Sequence, residues 1–122
     1  DVIREDNVDR LETKLIVQGA NIPITAAAEK KLADRGVLSI PDFIANAGGV
    51  ICAAVEYRGA TEAVALSTIE EKIRRNTKLV LEASKKRGVL PREAAVDLAT
   101  ARVEEAMSFR RFSTFSMGPR FL

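Results

Sequence analysis

Two asparagines carry the most evident chemistry in this sequence. Asn21 closes Gly19–Ala20–Asn21, directly after an apolar run, and Asn46 lies in Ala45–Asn46–Ala47–Gly48–Gly49. Each carboxamide offers one acceptor oxygen and two N–H donors, so a converging pair suits an amide, a carboxylate or a sugar. The segment around Asn46 has almost no side-chain volume, which lets a ligand approach the backbone closely or supplies unusual φ values. The same residues also read as plain turn chemistry, with Asn21 preceding Pro23 and Gly48–Gly49 acting as a hinge. Gln18 ends the same apolar run and reads as a polar group facing solvent. Cys52 has no histidine partner and reads as a small buried hydrophobe. Glu56 reads as half of a structural ion pair, with Arg58 or a buried group. Glu70–Lys86 and Arg102–Glu105 read as solvated helix faces with weak local pairs.

Composition narrows the chemistry further. The 122 residues carry 19 Lys+Arg and 17 Asp+Glu, a formal charge of +2, so no strong field steers the chain to nucleic acid. Hydrophobic residues make up 47% and charged residues 30%, an ordinary globular balance. Histidine is absent, which removes Ser-His-Asp catalysis and histidine-based zinc sites, and no metal site is expected. A single cysteine excludes an internal disulfide and fits a reducing, cytoplasmic setting. No run is long and apolar enough for a membrane span. Asp1–Val2–Ile3–Arg4 resembles neither a signal peptide nor a translation start.

The elements that must position the asparagines follow from pattern. Arg4–Leu11 predicts a short helix with Val8 and Leu11 on one face. Lys14–Gln18 predicts a short strand whose continuous apolar core suits a parallel strand covered on both faces. Thr25 caps a helix through Arg35, with Ala28, Leu32 and Ala33 inward and Gly36 as the left-handed stop. Val37–Ile40 is a second strand, ended by Pro41. Strand, short crossover helix and strand describe a βαβ unit with a parallel ladder, and both asparagines then fall at one edge of the sheet. An apolar helix from about Val50 to Tyr57 follows, buried on several sides through Ile51, Cys52, Ala54, Val55 and Tyr57. Ser67–Thr68–Ile69–Glu70 has the capping-box spacing and predicts a long helix from there to Arg87, with Ile69, Ile73, Val80 and Ala83 inward and Leu79 beside them. Pro91 opens a further helix to Met107 with Leu98, Ala99, Val103 and Ala106 inward, antiparallel to the one before. The expected class is α/β, a partial doubly wound, Rossmann-like parallel sheet followed by a long C-terminal helical hairpin. Its parts are a sheet-bearing unit over 1–65, the returning helical pair over 66–108, and a basic-aromatic tail over 109–122. The tail mixes Phe109, Phe112, Phe115 and Phe121 with arginines and reads as a docking segment rather than a nucleic-acid binder. Half a doubly wound sheet leaves an edge and an apolar face uncovered, so self-association is expected.

Leu15–Ile16–Val17–Gln18–Gly19–Ala20–Asn21 resembles a segment of the glutamate/leucine/phenylalanine/valine dehydrogenases. The likeness continues through Ile22–Pro23–Ile24–Thr25 and Arg35–Gly36. It is most specific over Val37–Leu38–Ser39–Ile40–Pro41–Asp42–Phe43–Ile44–Ala45–Asn46–Ala47–Gly48–Gly49–Val50. Glu56–Tyr57 resembles the family's Glu–Trp pair, and the stretch Ala99–Met107 fits as well, so the resemblance covers about residues 4–108.

The resemblance implies the C-terminal part of the nucleotide-binding domain of a two-domain oxidoreductase. Such an enzyme deaminates an L-amino acid to a 2-oxo acid with NAD or NADP and is usually a hexamer. Gly19, Ala20, Asn21 and Asn46 match the cofactor side. Asn46, Gly48, Gly49, Val50 and Ala53 match the substrate side. The family's catalytic lysine and aspartate, its glycine-rich fingerprint and its substrate domain precede this region, so no catalytic residue is assigned here and the chain alone is expected to be inactive. Two departures stand out. Glutamate-specific members read Thr–Val–Ser–Tyr where this chain has Ile51–Cys52–Ala53–Ala54, so Ala53 replaces the serine that helps hold the substrate carboxylate. Asn21–Ile22–Pro23–Ile24 replaces the commoner Asn–Gly–Pro–Thr. A non-catalytic remnant kept for assembly or regulation is the alternative reading.

Overall fold

The computed structural model describes residues 2–110. Strands β1 (Leu15–Val17) and β2 (Leu38–Ile40) pair in parallel, with Leu15 opposite Leu38 and Val17 opposite Ile40. The crossover is helix α1 (Ala26–Asp34). The Thr25 hydroxyl accepts the Ala28 N–H at 3.2 Å at its start, and Gly36 takes φ 77° just past its end. Ala28 and Leu32 bury against Val8, Ile24 and Val37, with Ile3, Leu11 and Ile16 packed around them. Val8 belongs to a short 3-10 turn, Val8–Arg10, where a longer helix was expected.

Past Pro41 the chain is helical: α2 (Asp42–Ala45), α3 (Gly48–Glu56), α4 (Glu62–Arg87) and α5 (Pro91–Arg110). Gly88, at φ 67°, turns α4 back into α5. Arg87 meets Asp97 at 2.6 Å and Arg102 meets Asn76 at 3.1 Å, so the two helices run antiparallel, as expected. Val80, Ala94 and Ala95 close a second core against Ile40 and Ile44. Alternation along the strands sends Ile16 to the α1 core and Ile40 to the hairpin core. Helices therefore lie against both faces of a parallel sheet, the α/β arrangement expected.

Several local expectations are corrected. β1 is not covered on both faces: Leu15 is 52% and Val17 61% exposed, because the hairpin packs on β2 at Ile40 and leaves the β1 side of that face open. Helix α3 starts at Gly48 rather than Val50, so Gly48 and Gly49 are helical and need no unusual φ. None of its residues is buried, Tyr57 after it is exposed, and its main packing partner is α4. Helix α4 begins at Glu62, not at the capping box. The Ser67 and Thr68 hydroxyls instead bond back to the Val64 carbonyl at 3.0 and 2.7 Å, the mid-helix habit of such residues. Leu79 is largely exposed. In α5 Ala94 and Ala95 are buried, Leu98 packs beside them as expected, and Ala99, Val103 and Ala106, expected inward, are exposed. Phe109 is exposed, and the rest of the tail, 111–122, lies outside the described residues. Among the described residues no helix is long and apolar enough to cross a membrane.

Candidate functional site

The carboxyl ends of β1 and β2 bring Asn21 and Asn46 together. Asn46 Nδ2 donates to Asn21 Oδ1 at 2.6 Å. That bond leaves two N–H donors on Asn21, and an oxygen and one N–H on Asn46, for a ligand. Both asparagines hang on Asp42. The Ile22 N–H, next to Asn21, donates to Asp42 Oδ2 at 2.8 Å, with Ile22 itself at φ 47°. The Asn46 N–H donates to the Asp42 carbonyl at 2.7 Å, closing α2.

Behind this edge lies a charged cluster. Arg92 reaches back from the first turn of α5 and splits its guanidinium three ways. Nε donates to Glu29 Oε2 at 2.6 Å, Nη1 to Asp42 Oδ1 at 3.0 Å and Nη2 to Gln18 Oε1 at 2.8 Å. Gln18 in turn donates to Glu29 Oε1 at 3.0 Å and to the Ser39 hydroxyl at 2.8 Å. Glu29, Ser39 and Asp42 are buried, and Gln18 is only 1% exposed, so the expectation that Gln18 faces solvent is overturned. One residue past β1 and in phase with Ile16, it lies under α1, where an amide survives only fully bonded. No buried side-chain nitrogen or oxygen among the described residues lacks a partner. Burial pushes the Asp42 carboxyl up, but the Ile22 N–H, the Arg92 guanidinium and the Phe43 N–H outweigh it and hold the group below its ordinary 3.8. Burial likewise works against the Arg92 charge, and the Glu29 and Asp42 carboxylates overcome it, so the guanidinium is held more firmly protonated.

Gly19, Ala20 and Gly49 are exposed at the same edge. A Cβ on Gly49 would meet nothing within 4 Å, and one on Gly48 would make only an ordinary 3.5 Å contact with Ile69. Neither packing nor backbone conformation calls for glycine at these two helical positions, where it costs up to about 1 kcal/mol relative to alanine. Val50, 77% exposed, and Ala53 stand one turn apart on α3 and are both open. Val50 also borders a groove of 440 Å³ between α3 and α4, with Arg58 and Lys72 at its rim. Burial and the neighbouring Glu56 carboxylate push the Cys52 thiol above its ordinary 9.0, which keeps it an unreactive thiol. Glu56 thus has Cys52 rather than Arg58 as its neighbour of note.

Sequence reading found the asparagines and missed what holds them. Asp42 sits after Pro41 at a helix start, a common place for a carboxylate. Arg92 is 74 residues from Gln18 and carries no local signal.

A model of the Glutamate/Leucine/Phenylalanine/Valine dehydrogenase family matches residues 1–111. The glutamate dehydrogenase of Aeropyrum pernix is 41% identical over 121 residues, covering 90% of this chain and 29% of that enzyme. The NADP(+)-dependent glutamate dehydrogenase of Pyrobaculum calidifontis is 37% identical over 118 residues, covering 89% and 28%. Among solved structures, L-tryptophan dehydrogenase from Nostoc punctiforme superposes with a TM-score of 0.77 at 27% identity, over 86% of this chain and 32% of that one. The chain thus spans less than a third of the length of the curated relatives it matches.

Proposed function

This chain belongs to the glutamate/leucine/phenylalanine/valine dehydrogenase family, and from that premise we propose that it supplies the nicotinamide-side wall of an amino-acid dehydrogenase. The whole protein would oxidise an L-amino acid to a 2-oxo acid with NAD or NADP, as a cytoplasmic homo-oligomer. The observation that carries this reading is the joined pair Asn21–Asn46 beside two glycines that the fold itself does not require. The free donors and acceptors of the pair fit a carboxamide or ribose hydroxyl, which need both kinds of partner. Bare backbone at Gly48–Gly49 leaves room for two reacting carbons to come within the short distance hydride transfer needs. The bound nicotinamide supplies the hydride acceptor. The chain's own part is to orient it through Asn21 and Asn46 and to keep the space at Gly49 clear. Val50 and Ala53 would face the amino-acid side chain. Ala53 lacks a hydroxyl, so preference for glutamate would have to come from residues outside this chain, and an apolar substrate suits this face better.

The test is turnover of glutamate and of several apolar L-amino acids by the whole protein, with NAD+ and with NADP+. Activity on at least one is expected, and Asn46→Ala should raise the cofactor KM or lower kcat by about five- to tenfold, the worth of one hydrogen bond of roughly 1–1.5 kcal/mol. Failure of the wild type on every pair sinks the enzymatic reading. An active Asn46→Ala variant with unchanged constants sinks the site.

A further inference from the structure

We propose that Arg92 is a positioning residue for the asparagine pair, through which the C-terminal hairpin sets the geometry of the cofactor edge. The inference rests on the reading above for its functional consequence but on the structure for its mechanism. Arg92 belongs to α5, outside the βαβ unit that carries both asparagines. Its Nη1 fixes one oxygen of Asp42 at 3.0 Å, and the other oxygen of that carboxylate holds the Ile22 N–H at 2.8 Å. Asp42 also holds the Asn46 N–H through its carbonyl at 2.7 Å. One guanidinium therefore stands a single residue away from the backbone of both amide-bearing loops.

The remaining donors of Arg92 prevent the Asp42 carboxylate from turning. Nε and Nη2 are committed to Glu29 on α1 and Gln18 at the end of β1, at 2.6 and 2.8 Å. A planar fork with three anchored edges has one orientation, which a lysine ammonium cannot reproduce. Glu29, Asp42 and Gln18 are buried, and the Arg92 side chain is 27% exposed, so the arginine forms the lid of the cluster. A shift of α5 relative to the sheet pulls on Asp42 together with Glu29 and Gln18. The Asn46–Asn21 bond, at the exposed end of the chain of contacts, would register that pull.

The experiment compares the whole wild-type protein with Arg92→Met and Arg92→Lys by hydrogen exchange and by steady-state kinetics. In Arg92→Met, exchange in peptides covering 19–25 and 42–48 should rise at least tenfold, while peptides within 62–80 keep the wild-type rate. The cofactor KM should rise at least fivefold with a smaller change in kcat. Arg92→Lys should fall between the two in both readouts, and it decides the matter alone if the methionine variant does not fold. A uniform rise in exchange along the chain would show a merely structural role and overturn the proposal, as would local exchange with an unchanged cofactor KM. If the wild type turns over no amino acid, the dehydrogenase reading fails separately, and positioning is then judged on exchange alone: unchanged rates at 19–25 and 42–48 refute it, and a local rise supports it.

Discussion

Asp42→Asn is the sharpest perturbation available in this chain. The carboxylate accepts two hydrogen bonds with two oxygens, from the Ile22 N–H at 2.8 Å and from Arg92 Nη1 at 3.0 Å. An asparagine has one acceptor oxygen, so whichever bond it keeps, its NH2 group faces the other donor. One charge-assisted bond of about 1.5–3 kcal/mol is lost. The roughly 3–5 kcal/mol typical of breaking a fully buried ion pair is an upper bound, because water reaches the partly exposed Arg92 and Glu29 still neutralises it. The expected loss is about 2 kcal/mol, or about 8 °C in Tm for a domain of this size. Urea unfolding followed by circular dichroism at pH 7 measures it. The same titration in acid adds a second constraint. The Asp42 pKa is lowered in the folded state, so its contribution is present above the ordinary 3.8 and is lost as pH falls through the folded value. The gap between wild type and variant should therefore narrow as pH drops below about 4. A loss under 0.5 kcal/mol at pH 7, or a gap that stays constant into acid, would refute the reading of Asp42 as a charged anchor.

Leu32→Ala truncates a fully buried side chain of the α1 core and should cost about 2–5 kcal/mol in chemical unfolding. Gly49→Ala should leave stability unchanged or raise it by up to about 1 kcal/mol, since the new methyl meets nothing and alanine favours the helix. In the whole protein the same change should raise the cofactor or substrate KM, and an unchanged KM would mean that nothing approaches this backbone. Val17→Lys places a charge on the open face of β1 and should shift the isolated chain toward monomer in sedimentation velocity, with no shift if that face takes no part in self-association.

The part of the fold that sequence makes legible is the part governed by local rules. Two continuous apolar runs flanking a helix between Thr25 and Gly36 leave little choice but a parallel βαβ unit, and that unit brings Asn21 to Asn46. The start of α4 was hidden because Ser67, Thr68 and Glu70 mimic a cap, while the real start at Thr61 makes no side-chain cap bond. The burial expected along α3 and the end of α5 followed from apolar composition. Composition cannot tell a face packed within the described residues from one left open. The Arg92 cluster was illegible for a different reason. Its members come from the residue after β1 and from α1, β2, α2 and α5, and each looks like a surface residue until the fold gathers them into one buried place.

The left-handed conformation of Ile22 has a bearing on how the edge moves. A residue with a Cβ pays about 1–2 kcal/mol to sit there, and a branched one is at the upper end. A glycine at this place would incur no such cost. The Ile22 N–H bond to Asp42 offsets the strain with about 1.5–3 kcal/mol, so the two nearly balance and the net preference is at most about 1 kcal/mol. The alternative basin is also narrow, because the residue before Pro23 is held largely to the extended region, whereas glycine would spread over more conformers. Swinging Ile22 into it carries Asn21 away from Asn46. With two such basins the strand-end loop would exchange between defined shapes rather than fluctuate broadly, on the nanosecond-to-microsecond scale of loops of this size. A molecule arriving at the edge would then draw the equilibrium to one side only by as much as its contacts differ between the two shapes.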